Sequence, residues 1–436
     1  MLDIKFIRKD PDAVKAACRV KNVKCDIDKL LDLDEKKIKI QQELEAIAAE
    51  KNKASRAIPQ AKDESERKGI ISAMQALGDN ENNLAKKHKE LEQEYMELMY
   101  LVPNIPSADS PIGSSDLDNK EVSRWGEPAK FDFEPKDHIQ LGKDLDIIDT
   151  ETGVNTSGFR GYYLKNEAVM LHYAIFWHAL NKMRQKGFDL FVPPTIVREF
   201  VLLGSGHFPS GRDEVYVIGN PGKLESGEAV KEPAYLAGTS EPSLLAYHSG
   251  EVIAEKKLPI KMCGISQCYR SEVGSYGKDA KGLYRLHEFM KVEQVVICKD
   301  DIEESNKWLE EMREISQGIL KDLKLPHRVL AICTGDMGSG KYKMYDIETW
   351  MPSRQAYGET HSDSNLTDWQ TRRLNMRYKD KEGKMRFPYA LNNTVVASPR
   401  LLIAILENYQ QKDGSVAVPE VLQPYLGGQK KIEPKK

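Results

Sequence analysis

Arg270 and Glu272 stand two residues apart at the end of an apolar run. After a glycine-punctuated basic loop, Arg285, His287, Phe289, Lys291 and Glu293 occupy every second position. A period of two sends alternate side chains to one face of a strand, so these five are expected on a common face. A face with that much charge and one aromatic ring is no core; it suits the floor of a polar, anion-accepting site. A second anion site is expected at Arg400, just past the strand-like run Leu391 to Ala397. Its guanidinium sits where a helix begins, and helix N-termini and guanidinium groups both favour phosphate.

These residues need elements to position them. From residue 117 onward, short β-like runs alternate with a few long amphipathic helices. A helix over Ala168 to Lys186 leads into Phe188–Val197, where Pro193 and Pro194 block ladder hydrogen bonds and demand a strand end or edge. Residues 1 to about 108 read as a separate unit. One helix-period pattern runs from near Asp34 to about Ile58, with Ile40, Leu44, Ile47 and Lys51 on its seam. A second places Ile70, Met74, Leu77, Leu84, Leu91, Tyr95 and Leu98 on a heptad seam interrupted by Glu81 and His88. Joined by a polar turn at Pro59, the two patterns predict an antiparallel coiled-coil hairpin about 45 Å long. Its outer lysines and arginines, interleaved with acids, taken alone suit a solvated coiled coil better, but a long isolated hairpin also suits reaching a distant phosphate backbone. Pro103, Pro106 and Pro111 mark a linker over 102–116.

Composition narrows the class. At 436 residues the chain is long enough for two or three domains, and its net charge of -3 argues against a generally basic, DNA-coating protein. Six cysteines form no CxxC pair and have no histidine at zinc-ligand spacing. Reduced thiols of a cytoplasmic protein are expected, without structural zinc. No secretory or transit signature opens the sequence, and runs such as Leu401 to Leu406 are far too short to cross a bilayer. No membrane partner is expected.

The hairpin around Arg270 resembles motif 2 of the class II aminoacyl-tRNA synthetases, in the form found in the seryl-tRNA synthetases of the bacterial type. Other segments resemble that family in the same order: Val102-Pro103-Asn104-Ile105-Pro106, the helix and Pro-Pro strand end of motif 1, and the strand and helix start of motif 3 at Arg400. The implied fold is α+β, an antiparallel sheet flanked by helices with an N-terminal coiled-coil arm. Residues 1–108 would bind tRNA, and 117–436 would form the catalytic domain.

The resemblance also implies roles for particular residues. ATP is expected on Arg270, Ser271, Glu272, Phe289, Glu359, Thr360, His361, Ser362 and Arg400, with Arg270 and Arg400 catalytic. Glu359 and Ser362 would hold Mg²⁺ together with the phosphates, since hard oxygen ligands suit that ion. Asp363 stands where the family usually has cysteine, an extra charge that bears on metal affinity. Serine is expected on Thr239, Ser240, Glu241, Glu293, Asn392 and Thr394. Thr394 keeps a hydroxyl where serine is usual, and its methyl narrows the pocket against threonine. The implied partners are ATP, L-serine, tRNA(Ser) through the arm and the motif 2 loop, tRNA(Sec) where present, and a second copy through motif 1. A homologue that charges a carrier protein would lack the arm, and an inactive RNA-binding paralogue would have lost ATP ligands.

Overall fold

The computed structural model describes residues 1–220, 222–273 and 282–435. The expected basic loop of the motif 2 hairpin, with its proposed RNA contact, falls largely at 274–281, outside the described residues. Leu2–Arg19 with Val23–Pro103 form one compact unit, and Asn104–Lys436 with Met1 and Val20–Asn22 form another.

In the first unit, helix α1 (Ile27–Ala57) and helix α2 (Glu64–Leu101) make the hairpin. α1 starts seven residues before the expected Asp34, because Asp26 caps it by accepting from the Lys29 amide. Asp63 does the same for α2 through Glu66. Tyr95 and Met99 are buried on the seam, and Leu77, Leu84 and Leu91 are half-buried. Glu81, which interrupts the heptads, pairs at 2.6 Å with Lys51, the polar seam residue of α1. Lys37–Glu92 and Lys29–Glu94 bridge the helices farther along, so α1 numbers rise as α2 numbers fall. Such half-exposed pairs contribute at most about 1 kcal/mol each and matter more for register.

The second unit is built on eight strands: β1 (Lys120–Trp125), β2 (Asp189–Phe191), β3 (Ile260–Tyr269), β4 (Glu288–Cys298), β5 (His327–Ala331), β6 (Lys343–Met351), β7 (Ala356–Asn365) and β8 (Tyr389–Ala397). They lie in the order β1-β5-β6-β7-β8-β4-β3-β2. Every pair is antiparallel except β2 on β3, a parallel edge that stops before Pro193. The remaining helices used below are α3 (His138–Asp144), α4 (Asn166–Gln185), α5 (Ile302–Asp322) and α6 (Ser398–Asn408). Leu171, Ile175, Met312, Ile319, Leu402 and Ile405 from these helices pack with Val292, Val296, Ile347 and Val395 of the strands in one core. Val295 and Ile297 point the opposite way, into a smaller cluster with Leu244, Met262 and Ala390. The functional cavity opens on that second face.

The proline-rich stretch expected as a linker is anchored to this unit. Asn104 is buried, and its Nδ2 donates to Gly340 O, Leu366 O and Thr367 Oγ1 at 2.9–3.2 Å. A second polar brace joins α6 to α3. Glu407, 1% exposed, accepts from the His138 amide at 3.1 Å, from His138 Nδ1 at 3.0 Å and from the Ser353 amide at 3.0 Å. His138 Nε2 in turn accepts from the Leu283 amide at 3.1 Å, which puts the ring proton on Nδ1. Burial pushes the Glu407 carboxyl up, but the His138 and Ser353 donors outweigh it and hold it below its ordinary range.

Glu407→Ala should therefore destabilise the unit by roughly 3–5 kcal/mol, because three donors lose a buried partner. A thermal melt that matched the parent protein would show that this brace contributes nothing.

Candidate active site

The β3–β4 hairpin, the adjoining parts of β7 and β8, and the start of α6 enclose a cavity of about 260 Å³. At one end, Arg270 sits over the Phe289 ring at 5.4 Å, and its Nε donates to Gly238 O. Arg400 is held from two sides: Nε donates to Tyr284 O at 3.2 Å and Nη1 to Glu359 O at 3.0 Å, with Glu359 Oε2 3.2 Å away. Glu272 has φ +54°, a left-handed conformation that costs a non-glycine residue energy and here turns the chain at the cavity wall. Its carboxylate receives Arg285 at 3.1 Å and lies 3.6 Å from Arg160.

At the other end, Glu241 is 6% exposed, and its Oε1 accepts from Gln370 at 2.5 Å and Asn392 at 3.0 Å. Thr239, Thr394 and Glu293 complete this wall. Glu293 is buried 2.6 Å from Lys291 Nζ; burial raises its carboxyl, and the lysine opposes that shift. Its register opposite Thr394 follows a bulge after Val292, and bulges re-aim side chains at sites of this kind.

Glu359 and Ser362 both line the cavity. Behind them Asp346 faces Ser362 across the ladder, its Oδ1 buried and without a hydrogen-bond partner among the described residues. Burial, and then the charge of Glu359, push the Asp346 carboxyl well up. Glu348 lies directly opposite Glu359 and is partly neutralised by Arg328 at 2.6 Å. Like charges facing each other are unfavourable unless countered. This oxygen-rich donor set fits a hard divalent cation. Among the described residues, no group of three or more His, Cys, Asp and Glu side chains could hold a metal alone, so a cation at Glu359 would take further ligands from a bound phosphate.

The structure brings together Arg270, Glu272, Phe289, Arg400, Glu359, Thr360, Ser362, Thr239, Glu241, Glu293, Asn392 and Thr394 around one cavity. Three expected site residues lie outside it. Ser240 is 1% exposed and turns to the Ser266 hydroxyl at 2.7 Å. Ser271 donates from Oγ to Asp213 O at 2.6 Å. His361 points to the opposite face of β7, between Thr360 Oγ1 and Val395 O, where burial lowers its pKa to about 3. Asp363 shares that opposite face and is fully buried towards Arg313 of α5, so its charge is not added to the cavity wall. The alternation around Phe289 also fails at one position. β4 begins only at Glu288, and His287 faces away from the cavity.

Two basic lining residues escaped the sequence reading, His207 and Lys341. The signal was there: Gly204-Ser205-Gly206-His207 and Gly338-Ser339-Gly340-Lys341 share a tetrapeptide pattern. Both second glycines press on Trp369. A Cβ would lie 2.2 Å from its ring at Gly206 and 2.6 Å away at Gly340. Only glycine lets each backbone approach that closely and deliver the next side chain to the cavity.

An antiparallel sheet with a motif 2 hairpin, a motif 3 arginine at a helix start and a shared anion-accepting cavity defines a class II aminoacyl-tRNA synthetase. The comparisons agree: a family model for the tRNA synthetase class II core domain (G, H, P, S and T) matches residues 223–409, and one for the seryl-tRNA synthetase N-terminal domain matches 1–106. The chain is 44% identical to a serine–tRNA ligase of Deinococcus radiodurans over 98% of both chains, and 42% identical to one of Treponema denticola over 98% of this chain and 99% of that one. A crystal structure of seryl-tRNA synthetase from Pyrococcus horikoshii complexed with ATP superposes over both full lengths with a TM-score of 0.88 at 34% identity. The chain belongs to the seryl-tRNA synthetase family.

Gly340→Ala should push the Lys341 loop off Trp369 and disturb the Glu241 end of the cavity first. The expected outcome is a several-fold higher KM for the amino acid and a smaller change for ATP. Equal changes in both would show that the loop does not serve that end.

Proposed function

We propose that this chain activates L-serine with ATP to seryl-adenylate and transfers the seryl group to the 3′ end of tRNA(Ser), and of tRNA(Sec) where that RNA exists. The observation that carries the reading is a single cavity lined by Arg270, Phe289 and Arg400 together with Thr239, Glu241 and Glu293. The adenine stacks on Phe289 and meets Glu272, Arg270 holds the α-phosphate, and Arg400 holds the γ-phosphate. Glu241 and Glu293 receive the α-ammonium, while Asn392 and Thr394 face the side-chain hydroxyl.

Held this way, a serine carboxylate oxygen attacks the α-phosphorus, forming the mixed anhydride as the α–β bridging bond breaks and pyrophosphate leaves. No protein nucleophile is needed; positioning and charge stabilisation by the two arginines do the catalysis. Magnesium, bound at Glu359 and Ser362 with the phosphates, would neutralise phosphate charge. The terminal ribose 3′ hydroxyl then attacks the seryl carbonyl and AMP leaves. A pocket that hydrogen-bonds a substrate hydroxyl rejects the analogue lacking it by about 10⁴-fold, which separates serine from alanine. Threonine is excluded by the Thr394 methyl, a weaker device.

The hairpin arm is the proposed grip on the RNA, and the reading puts the reaction in the cytoplasm. A homodimer is supported by α4, where Met170, Tyr173 and Trp177 share one face and are 48%, 49% and 57% exposed, and by the motif 1 strand end, where Val192 is 86% exposed. Contiguous exposed apolar side chains of this size mark an interface. Among the described residues, no helix is long and apolar enough to cross a membrane.

Pyrophosphate exchange with Mg²⁺ should respond to serine and not to alanine, glycine, cysteine or threonine; a response to alanine or glycine instead would favour a carrier-protein ligase. Arg270→Ala should abolish exchange while tRNA still binds, and surviving exchange would refute the phosphate assignment. Trp177→Glu should halve the mass measured by light scattering. An unchanged mass would place the dimer contact elsewhere or remove it.

A further inference from the structure

His287, the residue that departs from the alternation, faces a second cavity of about 300 Å³. Its walls include Phe159, Arg160, Tyr216, Tyr269 and Glu288. His287 Nδ1 is 2.9 Å from the Tyr216 hydroxyl, and its ring meets Phe159 edge-on with centroids 6.3 Å apart. Phe159 is 53% exposed, with the Arg160 guanidinium 5.1 Å from its ring centre. Arg160 is itself almost buried and reaches Glu272, the strained residue of the first cavity, at 3.6 Å. A third cavity, of about 620 Å³, lies alongside both, with Tyr269 in the wall it shares with this one and His207, Arg270, Glu272 and Arg285 in the wall it shares with the first.

A single bound nucleotide and amino acid are already accounted for in the first cavity, so neighbouring cavities that share its walls leave room for a longer ligand. Aromatic faces backed by a guanidinium plane accept planar heterocycles regardless of sequence. Hydrogen-bonding groups at the rim, the Glu288 carboxylate and the Tyr216–His287 pair, suit the edge of an unpaired base. Burial lowers the His287 pKa, followed in effect by the charge of Arg160, so the ring offers a neutral face.

We propose that the cavity between Phe159, Tyr216 and His287 receives an unstacked nucleobase near the 3′ end of the RNA substrate, and so threads that strand towards the adenylate. The inference rests on the tRNA-charging reading above. Its test uses the full-length protein with Phe159→Ala, and Phe159→Trp as the variant that restores a stacking face. Phe159→Ala should leave serine-dependent pyrophosphate exchange within about twofold of the parent, while single-turnover transfer from preformed seryl-adenylate falls about tenfold, the effect of losing one stacked base. Phe159→Trp should recover most of the transfer rate. Trimming the 3′ single-stranded nucleotides from the tRNA should make parent and Phe159→Ala bind it equally, whereas intact tRNA binds the variant more weakly. Undiminished transfer, a defect confined to exchange, or weaker binding of trimmed and intact tRNA alike would overturn the site. Loss of serine-dependent exchange in the parent protein would instead sink the charging reading, and the site with it.

Discussion

Charge compensation inside one cavity is the constraint on which the rest depends. Glu241, Glu272, Glu293 and Glu359 share it with Arg270, Arg285, Lys291, Lys341 and Arg400. Partly dehydrated charges are tolerable only when each is paired or hydrogen-bonded, since desolvation otherwise exceeds the attraction gained. The fold answers with backbone as much as with side chains. Arg400 is steered by the carbonyls of Tyr284 and Glu359, Glu241 by the amides of Gln370 and Asn392, and Glu272 by a left-handed turn between two arginines. A site wired this way arrives preorganised for a ligand that itself carries both signs of charge.

That constraint explains what could be read in the sequence and what could not. Residues within one strand or hairpin were legible, because period two is local: Phe289, Lys291 and Glu293 face together as the alternation requires. Residues whose direction depends on a bulge or a distant partner were not. β6 and β7 slip register between Ile347 and Glu348, so Glu359 and Thr360 both reach the cavity while His361 turns into the core. Ser240 and Ser271 sit beside true lining residues but satisfy hydroxyl bonds elsewhere, and a string of letters does not reveal that choice. In the arm, Glu81 read as a flaw in the heptads until Lys51 stood opposite it.

Trp369 illustrates a different kind of illegibility. It touches no part of the cavity, yet two glycines from segments far apart in sequence close on its ring. A large aromatic side chain used as a spacer sets the depth of two loops at once, and its function shows only in the small residues that yield to it. The glycines carry the trace of the tryptophan.

The sheet order also has a consequence for synthesis on the ribosome. β8 lies between β7 and β4, and supplies Asn392 and Thr394, yet it is the last strand of this sheet to be made. Until residues 389–397 emerge, the nascent chain holds two part-sheets, each with an unpaired edge where the eighth strand belongs. Open edges invite pairing with the wrong chain. A ribosome that stalls before this point leaves a product that is inactive and prone to aggregate, even though more than four-fifths of the sequence has been translated.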